Sequence, residues 1–295
     1  MKKIEFFNGN ESFSFGIGTV KYIYGDNIQN KDKIIKIFRH IFEKCEDGDY
    51  VLDHDMKLNL EFDENPINLR QSEYYEVSSF KDMLEEMKIK AKSMLSNVLL
   101  TALQDIEYND EYNTLSMLFD DFGSTIHELL PLQESSIKLD VTMKPLDAKS
   151  LIKLLELNFL KDEKLIFPYE LSYKEYLEVQ IDLLIYLAKK NIAKEYYIIM
   201  HTHTLTEELN EKLKTVELKN IHILVFIEQI KIPLDKNEVV LLYNNTIDLA
   251  DEVEVYNSIL LPLPCCSTKA ELDNILTDYL LNETNERTIA LTKIL

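Results

Sequence analysis

The chain has 295 residues, 46% of them apolar, which is enough to bury at least one full hydrophobic core and excludes a disordered polymer. Its 52 acidic against 32 basic side chains leave a formal charge of −20, so a nucleic acid would be met only where lysines gather on one surface or where bound cations neutralise carboxylates. The longest apolar runs, at 198–200, 223–227 and 239–243, are strand-sized and too short to span a bilayer.

From Met1 to Asn8, charged and polar residues interrupt the apolar stretch that a signal peptide needs, and a cytoplasmic location is expected. Short strands are predicted at 4–7, 12–15 and 20–24, with Gly9, Gly16, Gly18 and Gly25 as punctuation. A helix follows over 31–44, where Ile34, Ile37, Phe38, Ile41 and Phe42 recur at helical spacing. The alternation at 57–62 predicts another strand, and strand, helix, strand opens an α/β layer.

From Phe80 the pattern becomes that of a long helix, with Phe80, Leu84, Met87, Ala91, Met94 and Val98 close to the coiled-coil period. Further helices are predicted at 147–157 and 171–187. The apolar runs at 196–200, 221–227 and 239–243 are of the kind that fill a buried parallel sheet, with a helix over 206–214 between the first two. One more helix is expected at 269–281. The expected organisation is a discontinuous α/β domain from 1–75 and 192–262, an inserted helical domain at 76–191, and a helical extension at 263–295.

No complete catalytic signature is present, which favours binding and assembly over enzymatic activity. All six glycines lie at or before Gly123 and none precedes a lysine, so the phosphate-cradling Gly-Lys-Ser/Thr loop is absent. Gly16-Ile17-Gly18-Thr19 sits between two strands and opens no helix, as a tight turn would. The nucleophile-elbow motif Gly-x-Ser-x-Gly is also missing. Cys45, Cys265 and Cys266 form neither a disulfide framework nor a zinc motif, since the adjacent pair lacks a spacer.

Three constellations carry potential chemistry. His201 and His203 end a predicted strand with both rings on one face, as two metal ligands of a hydrolase or nuclease would sit; surface histidines satisfy the same pattern. The stretch 105–121 holds Asp105, Glu107, Asp110, Glu111, Asp120 and Asp121 with no Lys or Arg. Asp105, Glu107, Asp110 and Glu111 offer the oxygen donors that calcium takes, or form a solvated acidic turn; the glycine of an EF-hand is missing. Lys88 with Lys92, and Lys149 with Lys153, are four apart on predicted helices and make basic stripes for a polyanion or for solubility.

The order of these features resembles the Csn-two family, the accessory proteins of type II-A CRISPR adaptation. The resemblance spans about residues 1–244. It is carried by the Gly18-Thr19 turn into 20–24, Ala91-Lys-Ser-Met-Leu, the acidic 105–111 stretch leading into Leu115-Ser-Met-Leu-Phe, Tyr197-Ile-Ile-Met, Leu205-Thr-Glu-Glu and Ile221-His-Ile-Leu-Val-Phe-Ile-Glu. It implies a head like a degenerate P-loop ATPase core with a helical leg, assembled as a homotetrameric ring that holds double-stranded DNA ends. Under this resemblance, calcium bound at 105–111 stabilises the ring, and Lys88 and Lys92 meet phosphate. The implied partners are the CRISPR integrase complex and the effector nuclease. Extra residues between Ser124 and Leu146 and after Asn245 are similar to those of longer subtypes.

Overall fold

The computed structural model describes residues 2–8, 11–43, 58–62, 64–78, 93–106, 110–129, 144, 146–155, 157–263, 266 and 268–295. It divides into two compact units, Met1–Phe80 with Tyr173–Leu295, and Lys81–Ser172.

Strands β1 (Lys2–Asn8) and β2 (Glu11–Ile17) form an antiparallel pair, and β1 also pairs with β4 (Leu58–Phe62), which continues to the short β5 (Asn65–Pro66). The order of this four-stranded sheet is β2-β1-β4-β5. Its period-two pattern sends Ile4, Phe6, Phe15 and Ile17 inward, all buried.

The larger sheet is built from β3 (Val20–Tyr24), β6 (Ser72–Ser78), β9 (Glu195–Leu205), β10 (Ile221–Ile230), β11 (Val239–Leu242) and β12 (Thr246–Asp248). Its order is β12-β11-β3-β10-β9-β6, parallel throughout except for the antiparallel β11–β12 pair. The apolar runs of β9, β10 and β11 are buried because helices or the smaller sheet cover both faces. Alternate residues of β9 serve the two sides. Tyr197 and Ile199 face helix α1 (Ile28–Glu43), packing with Ile34, Ile37 and Phe38. Ile198 and Met200 face Ile181 and Leu184 of the helix Tyr173–Lys190. Each such fully buried side chain stabilises the fold by roughly 1.5–3 kcal/mol.

Three differences from the sequence reading have physical causes. Strand β6 was not foreseen, because Glu73 and Glu76 interrupt its pattern; it lies at the sheet edge, where only Tyr75 and Val77 are buried. The helix expected at 147–157 is short, Ala148–Ile152, and is followed by a hairpin of β7 (Phe159–Lys161) and β8 (Lys164–Ile166). Asp162 and Glu163 turn that hairpin at positive φ (50° and 62°), without the Asn-Gly or Asp-Gly pair that announces such a turn. The helix Tyr173–Lys190, which the sequence reading placed within 76–191, packs on the sheet and belongs to the first unit.

The second unit contains α2 (Met94–Ile106), α3 (Asp110–Leu129), α4 (Ala148–Ile152) and the β7–β8 hairpin. In the first unit the chain runs on through α5 (Tyr173–Lys190), α6 (Glu207–Lys214) and α7 (Glu252–Val255, extended by a π turn to Leu260). Thr206 caps α6 as its sequence predicts, with Glu207 and Glu208 in the first turn. The C-terminal segment forms α8 (Lys269–Leu280), as expected, and α9 (Glu286–Thr292), opened by an Asn285–Thr288 capping box. Leu272, Ile275, Leu276, Leu280 and Leu291 are buried, so these helices are part of the first unit's core.

Candidate functional site

The carboxyl ends of the parallel strands are where open α/β sheets bind ligands. At β3 the connection to α1 is only Gly25, Asp26 and Asn27. Gly25 sits at φ +139°, and a Cβ there would lie 2.1 Å from the Leu242 carbonyl oxygen. The Asn27 N–H donates to that same oxygen at 3.2 Å, its side-chain amide donates to the Tyr243 carbonyl at 2.5 Å, and its Oδ1 accepts the Asn30 N–H at 2.9 Å. The three residues are thus tied to the end of β11, in a loop too short to wrap a phosphate. Above it, Tyr24 donates to Asn282 at 3.1 Å, and the Tyr243 and Tyr279 hydroxyls meet at 2.5 Å.

His201 and His203 lie on β9. The His201 ring stacks on Phe226 at 5.3 Å, and burial lowers its pKa. His203 is exposed and its Nδ1 lies 2.5 Å from Glu228 Oε2. Beside His201, Glu76 accepts two bonds from Arg39 (2.5 and 2.6 Å) and one from Tyr74 (2.5 Å). Among the described residues no group of three or more His, Cys, Asp or Glu side chains is arranged to hold a metal ion.

The acidic stretch falls at a helix junction. Asp105 lies in the last turn of α2, and Asp110 and Glu111 open α3. Asp110 is exposed; Glu107 and the side chains of Asp105 and Glu111 lie outside the described residues. Lys149 lies on α4 and Lys153 caps its C-terminus, both exposed. Next to them, Asp147 accepts the Ser150 N–H at 2.7 Å, and hydrogen bonding from the Ser150 side chain and backbone, with Lys149 and Lys153 nearby, holds its carboxyl below the usual range. Lys88 and Lys92 lie outside the described residues.

A buried ion pair went unnoticed in the sequence. Lys21 reaches Asp248 at 2.6 Å, with side chains 1% and 7% exposed. A lysine inside the otherwise apolar Val20–Tyr24 strand is the signal that would have revealed it.

The fold matches that of a solved Csn-two protein. Stu0660 of Streptococcus thermophilus, of a type II-A CRISPR system, superposes with a TM-score of 0.74 and 16% sequence identity, covering 98% of this chain and 92% of that chain. Two structures of the recombination mediator RecF of the RecFOR pathway, with ATPrS and with ATP, are far more distant. Both are 12% identical and cover 82% of this chain, with TM-scores of 0.38 and 0.33 over 95% and 98% of theirs. Neither a family model nor a curated protein matches the sequence. The likeness to Stu0660 therefore rests on the arrangement of the backbone, running from the first sheet to the C-terminal helices.

Proposed function

We propose that this chain is a non-enzymatic DNA-end-binding protein of CRISPR spacer acquisition, assembling as a calcium-stabilised homotetrameric ring in the cytoplasm beside the integrase complex and the effector nuclease. The observation that carries the reading is the near full-length likeness to Stu0660. The strand-to-helix loop at Gly25–Asn27 supports a non-enzymatic head. Bound to β11 and carrying Asp26, it offers no cradle for a nucleotide phosphate.

Calcium suits the residues at the α2–α3 junction by donor chemistry. Asp105, Glu107, Asp110 and Glu111 would supply the hard carboxylate oxygens that calcium takes. Acids at the C-terminal end of α2 face the negative end of its dipole, which a cation relieves. Closed symmetry would repeat a few lysines around a hole, so a chain of formal charge −20 meets duplex phosphates locally, while screening over about 10 Å uncouples the outer surface. Lys88, Lys92, Lys149 and Lys153 are the residues proposed for that contact.

Mass photometry tests the assembly. With calcium the particle should be near four times 34.6 kDa, and chelation should shift it to smaller species. A monomer under both conditions would contradict the ring.

A second reading, a metal-dependent hydrolase, takes its support from His201 and His203 on one strand. Phosphodiesterase activity with zinc or manganese that His203→Ala abolishes would favour it.

A further inference from the structure

A buried histidine sits at the joint between the two sheets of the first unit. The chain leaves the small sheet at Ile17 and enters the parallel sheet at Val20, with Gly18 and Thr19 between them. Beside that turn lies His222, the second residue of β10, whose side chain is 4% exposed. Its ring rests against Phe62 of β4 and Tyr197 of β9, with centroids at 4.9 and 5.4 Å. Phe62 belongs to the small sheet and Tyr197 to the large one, so the imidazole lies on the seam.

Both ring nitrogens face acceptors. Nδ1 lies 2.9 Å from the Gly18 carbonyl oxygen, and Nε2 lies 2.9 Å from Glu195 Oε2 at the start of β9. Neither a carbonyl nor a carboxylate donates, whereas a neutral imidazole carries one N–H and one bare lone pair. A neutral ring would therefore set lone pair against lone pair at one of the two contacts. Two donated bonds require one proton more than a neutral histidine and a carboxylate hold between them. The Glu195 side chain is 36% exposed, so water favours its charged form and the extra proton sits on the ring.

A buried cation is costly unless it is paired and hydrogen-bonded, and this ring is both. Among the described residues, the titratable groups that face it are Glu195 and Tyr197, both on β9; β4 presents Phe62 and the turn presents a neutral carbonyl. The same turn is held by the Ile223 N–H, which donates to the Thr19 carbonyl at 2.8 Å. If the ring loses a proton, the carboxylate, as the stronger acceptor, keeps the remaining N–H. The Gly18 carbonyl then loses its donor, and the turn loses one of its ties to β10.

We infer that His222 is a pH-sensitive fastening of the sheet joint: as an imidazolium it bonds both the Gly18–Thr19 turn and Glu195, and loss of one proton as pH rises loosens the turn. The tie is complete while the ring is charged and weakens on the alkaline side. Imidazole is the side chain whose charge changes nearest to physiological pH, which suits it to this role. The device is separate from the residues proposed for DNA and calcium, and it stands or falls independently of them.

The test is ring-nitrogen NMR on the full-length protein with isotope-labelled histidine, titrated upward from about pH 5 to the alkaline limit of folding, with amide hydrogen exchange as the second readout. His222 should carry two N–H protons at the acid end and one after a step at higher pH. Across that step the protection factor of the Ile223 amide should fall about tenfold, as a lost hydrogen bond at the turn requires. Glu195→Gln should move the step down by about one pH unit or more, because the amide donates to a bare Nε2 where a carboxylate does not. A single N–H on His222 at every pH would overturn the charged ring in the wild-type protein, whatever the variant does. Two N–H protons up to the alkaline limit would make the ring a fixed tie and overturn the switch. So would a step that leaves Ile223 protection unchanged, or one that Glu195→Gln does not move.

Discussion

Lys21 and Asp248 meet at 2.6 Å inside the first unit although 227 positions separate them in sequence. The lysine also donates to the Asn237 carbonyl at 2.8 Å, and Asp248 also accepts the N–H groups of Gly16 and Ala250. One carboxylate thus joins the first sheet, the central strand β3 and the edge strand β12.

Removing one member leaves the other charged and buried. Asp248→Asn should destabilise the protein by about 3–5 kcal/mol, whereas Lys21→Met with Asp248→Leu should cost much less than the two single changes combined. Urea unfolding of the three variants checks this. Additive losses would show that the pair is not coupled.

Glu76 predicts a pH dependence. Burial alone would raise its pKa, but the hydrogen bonds from Arg39 and Tyr74 prevail and hold it below the ordinary 4.5. The folded state then binds this proton less readily than the unfolded chain, so the contribution is full above the unfolded value and is lost as pH falls through the folded one. Unfolding between about pH 6 and pH 3 should show stability falling below about 4.5. Glu76→Gln should flatten that part of the curve.

Gly25 is required where it stands. Gly25→Ala forces a side chain into a left-handed conformation and onto the Leu242 backbone oxygen, and should cost more than about 2 kcal/mol in a thermal or urea melt. A loss near zero would mean that the β3–α1 loop is not pinned to β11.

If the lysine stripes meet phosphate, Lys88→Gln with Lys92→Gln, and separately Lys149→Gln with Lys153→Gln, should weaken duplex binding. Each lost contact should reduce the slope of log affinity against log salt by about 0.9. A pair that leaves both affinity and slope unchanged does not face the DNA.

The buried strands were legible because both faces of a parallel sheet are covered. Ile198–Met200 and Ile223–Ile227 leave no polar alternation to confuse the reading. The edge strand β6 was not, since half its side chains face outward, and the hairpin turn at Asp162-Glu163 uses residues that do not announce it. The strands expected at the N-terminus are present but divide between two sheets, a partition that their local pattern does not announce. Of the candidate site, the histidine pair and the acidic helix junction could be located from sequence. The partner of the buried Lys21 could not, because Asp248 lies 227 positions away.

Binding of a linear duplex and of the same duplex closed into a covalent circle, compared by band shift with calcium and then with chelator, tests the DNA-end reading most directly. The linear form should be retained with calcium and released on chelation or at high salt, while the circle stays free. Equal retention of the circle, or no retention of either form with calcium present, would contradict it.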